Sequence, residues 1–231
     1  TLALTEKRLG EFDMLDDVLL HRVEANDVVT IGSFKVEFIH ASHSLVECFS
    51  LAIHTPVGTI IHTGDYKIDD TPVIGKPYDL KTLGRIGDEG VLALLCDSTN
   101  ATVPGRTPSE MAVIPAFEEI FEETEGRLII STFSSSLHRL QIVFDVAHQF
   151  GRKVCVIGRS MQKNVEIADE QGLLKIPHGT MIDLGTSRAL DDDEICYLVT
   201  GSQGEMRAAL WNMATSTFKG IEVEKGDTVV L

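Results

Sequence analysis

Residues 127–157 read RLIISTFSSSLHRLQIVFDVAHQFGRKVCVI. An apolar run, a polar turn rich in serine, an amphipathic stretch and a second apolar run follow one another. The order predicts a strand over 127–132, a helix over 136–150 and a strand over 153–157. Downstream the pattern repeats. A helix is expected over 160–171, a strand over 194–199, a helix from 205 to 214 after the Gly-rich turn Thr200-Gly201-Ser202-Gln203-Gly204-Glu205, and a strand near 227–231. Upstream, Thr107-Pro108-Ser109-Glu110 has the form of a capping box with Pro at the first helical position, so a helix is expected from there to about Glu123. Repeated βα units imply a parallel sheet covered by helices. Asp191-Asp192-Asp193-Glu194 reads as a solvated helix start.

The text before residue 107 is different. Residues 28–40 hold two alternating runs about Gly32-Ser33, and runs at 49–54 and 59–62 flank Thr55-Pro56-Val57-Gly58, a hairpin signal. Antiparallel strands are the expected product. A polar stretch over 66–90 carries a short helix at 79–86, and the continuous apolar run 91–96 reads as a strand that stops at Asp97. Two parts follow, residues 1–107 and residues 108–231.

The 231 residues are 43% hydrophobic and 24% charged, which is globular composition. No apolar run approaches the roughly 18 to 20 residues that a membrane-spanning helix needs, so a cytoplasmic protein without a membrane partner is the expectation. Four cysteines stand without a C-x-x-C pair; three of them, Cys96, Cys155 and Cys196, lie in apolar runs and read as small buried hydrophobes. The formal net charge of −15 argues against a phosphate-rich partner. That average conceals residues 127–163, where six Lys or Arg meet one acid, Asp145, for a local +5. Local potential is what a nucleic-acid groove requires.

Several residues could carry chemistry. His40, His43, His62 and Asp65 gather at strand ends, and imidazole with carboxylate is the donor mixture of zinc-type sites, although each could equally be a structural hydrogen bonder. Asp97 could orient a neighbouring histidine or cap the next turn. The junction Thr132-Phe133-Ser134-Ser135-Ser136-Leu137-His138-Arg139 offers hydroxyls, a His and an Arg at a helix start, which suits a phosphate and equally suits an ordinary N-cap.

His43-Ser44, IHTGDYKID through Asp65, TPVIGKPYDL, LLCDSTNATVPGRTPSE, TFSSSLHRLQ, GRKVCVIGRSMQKNV and TGSQGE, in this order, resemble ribonuclease J of the metallo-β-lactamase superfamily, β-CASP branch. The resemblance spans nearly the whole chain. It implies an α/β fold, part of an αββα metallo-β-lactamase domain joined to a β-CASP domain with a parallel, helix-covered sheet. It also implies hydrolysis of RNA phosphodiesters with two Zn2+ per intact site. On it, His43 matches a metal ligand, Asp65 the carboxylate bridging the metals, Asp97 an acid that positions a catalytic-site histidine, and Ser135 a serine lining a phosphate pocket. His138, Arg139 and Arg159 would join Ser135 in holding RNA, and self-association of the full-length protein stays open.

The family's H-x-H-x-D-H signature is absent and expected upstream of Thr1, with further histidines downstream of Leu231, so the segment alone is expected to retain metal weakly and turn over nothing. Val46-Glu47-Cys48 departs from the family's usual triplet after His-Ser. The rival expectation is a catalytically inactive β-CASP-like module that binds RNA or protein. A hydrolase of small esters is disfavoured because such proteins carry no β-CASP insert.

Overall fold

Gly32-Ser33 is a two-residue reversal, and the strands it joins, β1 (Val28–Ile31) and β2 (Phe34–Ala41), pair antiparallel. A computed structural model describes residues 2–231, and these fall into two units, one through Ser109 and one from Glu110. In the first, α1 (Leu2–Glu11) and a 3-10 turn (Leu15–Asp17) precede the sheet. β3 (Cys48–Thr55) and β4 (Gly58–His62) form the second hairpin, α2 (Leu80–Glu89) follows, and β5 (Ala93–Leu95) closes the order β1-β2-β3-β4-β5. The first four strands are antiparallel, and β5 runs parallel to β4.

Register puts Ile39, Ala52 and Ile61 on one face, and Ile86 of α2 packs on them. The other face carries Phe38, Phe49, Leu51, Ile53 and Ile60, all half-buried, with Phe38 and Phe49 in edge-to-face contact at 5.7 Å. β5 is the strand expected from the apolar run 91–96, yet it is exposed. It pairs on one side only, and Leu92 and Leu94 are each 60% exposed. An apolar run cannot reveal that its strand is an edge.

α2 begins where its sequence says it should. Asp79 Oδ1 accepts the Thr82 N–H at 3.0 Å and Oδ2 accepts the Thr82 hydroxyl at 2.7 Å.

In the second unit β6 (Leu128–Ser131), β7 (Lys153–Ile157), β8 (Met181–Ile182), β9 (Ile195–Val199) and β10 (Thr228–Val230) form a wholly parallel sheet in the order β10-β6-β9-β7-β8. The helices are α3 (Ile114–Glu123), α4 (Leu137–Gln149), α5 (Arg159–Glu170), α6 (Leu184–Ser187) and α7 (Ala209–Ala214). β6, β9 and most of β7 are buried on both faces, which is why they read as unbroken apolar runs. Ile129, Cys155, Ile157, Tyr197 and Val199 meet Ala209 and Met213 of α7 on one side. The chain leaves β6 toward β7 and leaves its neighbour β9 toward β10, in opposite directions across the sheet. The carboxyl ends of β6 and β9 are therefore the topological switch point.

Two expected helix starts move, each for a backbone reason. A continuous helix from residue 107 would bury Pro115 in its interior, where the ring displaces a carbonyl and no N–H is available. The chain instead makes a 3-10 turn at Glu110–Val113 and starts α3 with Pro115 in its first turn, while Ser109 exchanges hydrogen bonds with Thr71. α7 starts at Ala209 instead of 205 because Arg207 sits at φ 70°, which an α-helix does not admit. β8 and α6 were not anticipated, being too short to show a period. Asp191 and Glu194 form a capping box, on a 3-10 turn.

Two arginines fasten this unit. Arg127 grips Asp227 through two 2.7 Å bonds, beside Gly126, where a Cβ would lie 2.5 Å from the Gly226 carbonyl oxygen. Arg152, 5% exposed, donates to the carbonyls of Thr124 and Gly126 and reaches those of Ile195 and Asp192 at 3.4 and 3.5 Å; burial lowers its pKa. Among the described residues no helix is long and apolar enough to cross a membrane.

Two outcomes are expected. Asp227→Ala removes both short bonds and leaves a largely buried guanidinium only its longer 3.5 Å contact with Glu224 for counter-charge, which should cost about 3 kcal/mol, read as a lower urea midpoint. The Asp79 carboxyl is held below its usual range, first by the Thr82 hydroxyl and then by backbone N–H groups. Its contribution is complete above the unfolded value of about 3.9 and is lost as pH falls through the depressed folded value. Asp79→Asn keeps the cap and should flatten that acid limb, whereas Asp79→Ala should cost about 1 kcal/mol at neutral pH.

Candidate functional site

β2, β4 and β5 run in the same direction, so the residues that follow their last positions emerge at one edge of the first sheet. His43 follows β2, Asp65 follows β4 and Asp97 follows β5. More than 20 residues separate each from the next in sequence. Strand direction alone brings them to a common edge.

Short bonds tie these loops to one another. The Ser42 hydroxyl donates to the Lys67 carbonyl at 2.5 Å and the Lys67 N–H returns to the Ser42 carbonyl at 2.7 Å, which clips the His43 loop to the Asp65 loop. Thr63 joins the Asp65 loop to the Asp97 loop: its N–H donates to the Leu95 carbonyl at 3.0 Å, and its hydroxyl oxygen accepts the Asp97 N–H at 3.0 Å. Gly64 lies between them at φ 60°, where a Cβ would stand 3.2 Å from the Phe49 carbonyl oxygen. Its N–H donates to His62 Nδ1 at 3.0 Å.

Asp97 is half-buried, and its Oδ1 accepts the Thr99 N–H at 2.8 Å. Its carboxyl is held below the usual range, first by the Thr99 N–H and hydroxyl, then by the Tyr66 N–H and the nearby His43 ring. Both readings of Asp97 thus find a partner: it caps its own turn and it lies within electrostatic reach of a histidine. Asp65 is exposed, and its charge reaches Cys48, whose thiol is pushed up mainly by burial. The Tyr66 hydroxyl lies 3.4 Å from Cys96 Sγ and is pushed up to about 12, by that contact first and by burial second.

His40 goes elsewhere, with Nε2 3.0 Å from the Lys76 carbonyl oxygen. Among the described residues no group of three or more His, Cys, Asp or Glu is placed to hold a metal ion. In kind, an imidazole with exposed and half-buried carboxylates suits a zinc-type cation. In number, the described residues fall short of the three or four protein ligands that zinc takes. Val46 is buried and Glu47 adopts φ 60°, so the unusual triplet turns the chain into β3, which begins at Cys48.

In the second unit the turns after β6 and β9 lie side by side, with the Thr132 N–H donating to the Val199 carbonyl at 3.1 Å. Ser135 is half-buried there; Ser136 stands at the α4 N-cap without a side-chain cap bond. His138 is 4% exposed, so its ring belongs to the packing of α4 and is not presented to solvent.

The local +5 requires correction. Arg127 is taken by Asp227, Arg139 Nε by Glu110 at 2.5 Å, Arg152 by buried carbonyls, Lys153 by the Gly179 carbonyl at 2.8 Å and Lys163 by Glu166 at 2.6 Å. Of the six, Arg159 is exposed and has no ion-pair partner among the described residues. Basic residues in this segment fasten the fold more than they make an open groove.

Ser42, Thr63, Lys67 and Tyr66 were not singled out from the sequence. Their partners are 25 to 34 residues away and no spacing rule announces them.

A meandering sheet with histidine and carboxylates at its carboxyl edge, followed by a parallel helix-covered sheet, is the α/β arrangement expected of a metallo-β-lactamase domain joined to a β-CASP domain. Residues 125–231 match the family model described as the ribonuclease J β-CASP domain. The chain is 44% identical over 230 residues to ribonuclease J of Synechocystis sp., covering 99% of this chain and 36% of that protein. It is 44% identical over 209 residues to ribonuclease J of Helicobacter pylori (90% and 30%), and 44% identical over 231 residues to that of Corynebacterium glutamicum (100% and 32%). The resemblance to ribonuclease J is thereby shown along the whole chain. The chain spans about a third of the length of these relatives. A protein of unknown function from Enterococcus faecalis V583 shares the fold at TM-score 0.55 and 17% identity, over 80% of this chain and 46% of its own.

Of the three cysteines expected to be buried, two are and Cys96 is not. Cys96 is exposed and Cys48 intermediate, whereas Cys155 and Cys196 are buried, pushed up by burial to about 11 and about 12. Titration of the native protein with an aromatic disulfide near pH 8 should therefore show one fast thiol, absent in Cys96→Ser. Cys155 and Cys196 should react only on unfolding; fast labelling of either in the native state would contradict the burial.

Proposed function

We propose that the chain is the central part of a metal-dependent RNA phosphodiesterase of the ribonuclease J type, hydrolysing RNA from its 5′ end or internally. The observation that supports this most directly is the delivery of His43, Asp65 and Asp97 to one sheet edge by three strands of common direction. In this reading His43 and Asp65 donate part of the ligand set for a zinc pair, with the remaining ligands coming from outside the segment. Such a pair supplies an acidified water and an electrophile for the phosphoryl oxygens. Asp65, exposed and two residues beyond the buried Thr63, is placed to lend a carboxylate while its backbone stays fixed. Asp97 keeps its charge through the Thr99 N–H and hydroxyl and the Tyr66 N–H, within electrostatic reach of His43. At the second sheet, Ser135 offers a hydroxyl at the switch point, and Arg159 and Arg139 offer charge to the RNA backbone, Arg139 only when Glu110 releases it.

A second reading, an RNA- or protein-binding module without catalysis, has one observation in its favour: no three metal-ligating side chains come together among the described residues. One experiment separates the two. The full-length protein should bind zinc stoichiometrically and hydrolyse 5′-monophosphorylated RNA. Asp65→Asn should lower the rate by about 100-fold or more with RNA binding retained, and Arg159→Ala should weaken binding and reduce its salt slope by about 1. Unaltered turnover in Asp65→Asn would overturn the first reading, and a full-length protein that binds RNA without zinc or turnover would establish the second.

A further inference from the structure

The turn between β6 and α4 is closed by one bond, from the Ser136 N–H to the Phe133 carbonyl at 3.0 Å. Ser134 and Ser135 occupy its two corners. The peptide between them takes no part in that bond, and the common β-turn types differ mainly in which way this central peptide faces. Here α5 decides. Asn164, half-buried on that helix and 30 residues away in sequence, donates through Nδ2 to the Ser134 carbonyl at 2.9 Å. No peptide bond among the described residues is cis, and a trans peptide carries its carbonyl and its N–H on opposite sides. With the carbonyl drawn to α5, the Ser135 N–H is turned away from that helix, and no backbone acceptor among the described residues takes it. Ser136 adds a second donor. It is 7% exposed and stands at the N-cap of the 13-residue α4, yet its hydroxyl makes no cap bond. Nor is that hydroxyl sealed: among the described residues Ser131 Oγ is the one partnerless side-chain oxygen cut off from solvent. A nine-tenths-buried hydroxyl open to solvent, at a helix start and next to an unpaired N–H, is suited to meet an anion.

We propose that Asn164 is a positioning residue: it holds the Ser134–Ser135 peptide with its N–H turned toward an incoming phosphate, and the preference for a phosphate-ended RNA depends on that hold. The inference rests on the phosphate reading of Ser135 in the preceding section. A terminal monoester brings nearly two negative charges and three acceptor oxygens, none of which a hydroxyl end possesses. Asn164 acts on it only through the peptide it holds. Leucine at this position keeps the branched shape and removes the donor. Aspartate keeps the shape more closely still but sets an acceptor against the Ser134 carbonyl, which favours the flipped peptide. That flip would present a carbonyl oxygen to the anion in place of the N–H.

The test compares Asn164→Leu and Asn164→Asp with wild type in the full-length protein. The probe is one short, cleavage-resistant oligoribonucleotide carrying either a 5′-monophosphate or a 5′-hydroxyl, and the ratio of the two dissociation constants is read. Asn164→Leu should lower the preference for the phosphorylated end by about fivefold, the equivalent of one lost hydrogen bond, with affinity for the hydroxyl-ended RNA within about twofold of wild type. Asn164→Asp should lower it further. Far-ultraviolet circular dichroism should be unchanged in both. A general loosening of the fold would weaken both RNAs alike and leave the ratio where it was. A wild-type ratio retained in both variants would overturn the proposal. A wild type that binds the two RNAs equally would overturn the phosphate reading of the turn, and this inference with it.

Discussion

A loop that carries a functional side chain also carries backbone N–H and carbonyl groups that no strand satisfies, and each left unpaired away from water costs about as much as a lost hydrogen bond. The carboxyl edge of the first sheet is arranged around that constraint. Three loops leave β2, β4 and β5 there, and they satisfy one another: Ser42 with Lys67, Thr63 with Leu95 and Asp97, Tyr66 with the Asp97 carboxylate. The His43 and Asp65 side chains emerge from a backbone that is already tied down. Preorganisation of this kind places ionisable groups without a helix or strand beneath them.

The second unit meets the same constraint with charge. Where α3, β6, β9 and the segment after α4 converge, the carbonyls of Thr124, Gly126, Asp192 and Ile195 point inward, and Arg152 provides the donors that water would otherwise supply. A guanidinium suits this because its rigid fork serves several acceptors and it stays protonated even where burial lowers its pKa. Arg127 does related work at the sheet edge, where a short β10 without the Asp227 grip would have three residues of pairing to hold it. The charge pattern of the chain therefore has a structural meaning before it has an electrostatic one. The excess of basic residues over 127–163 arises largely because these βα units use long cations as internal fasteners.

Much of the architecture was legible because it is written in period. The two hairpins, the βα alternation and the short helix at 79–86 all announce themselves through residues close in sequence. What escaped depends on partners far away or on exceptions to a local rule. Pro115 vetoes a helix that Thr107 to Glu110 would otherwise start, Arg207 at positive φ delays α7, and the apolar run ending at Cys96 became an exposed edge strand. The site divides the same way. His43, Asp65 and Asp97 could be named from motifs, but the Ser42 clip and the Thr63 hydroxyl could not, since their partners are set by strand order. The burial of His138, 4% exposed, could not be read from its motif either, because the helix face it occupies is decided by packing against elements the motif does not contain.

The first unit has two shortfalls. The described residues supply fewer metal ligands than zinc requires, and the sheet face opposite α2 leaves Phe38, Phe49, Leu51, Ile53 and Ile60 half-buried. In an αββα domain that face is where a second sheet lies, burying apolar side chains worth about 25 cal/mol per Å2 removed from water. α2 thus closes one face of this sheet, and the other keeps apolar side chains that a further layer would bury.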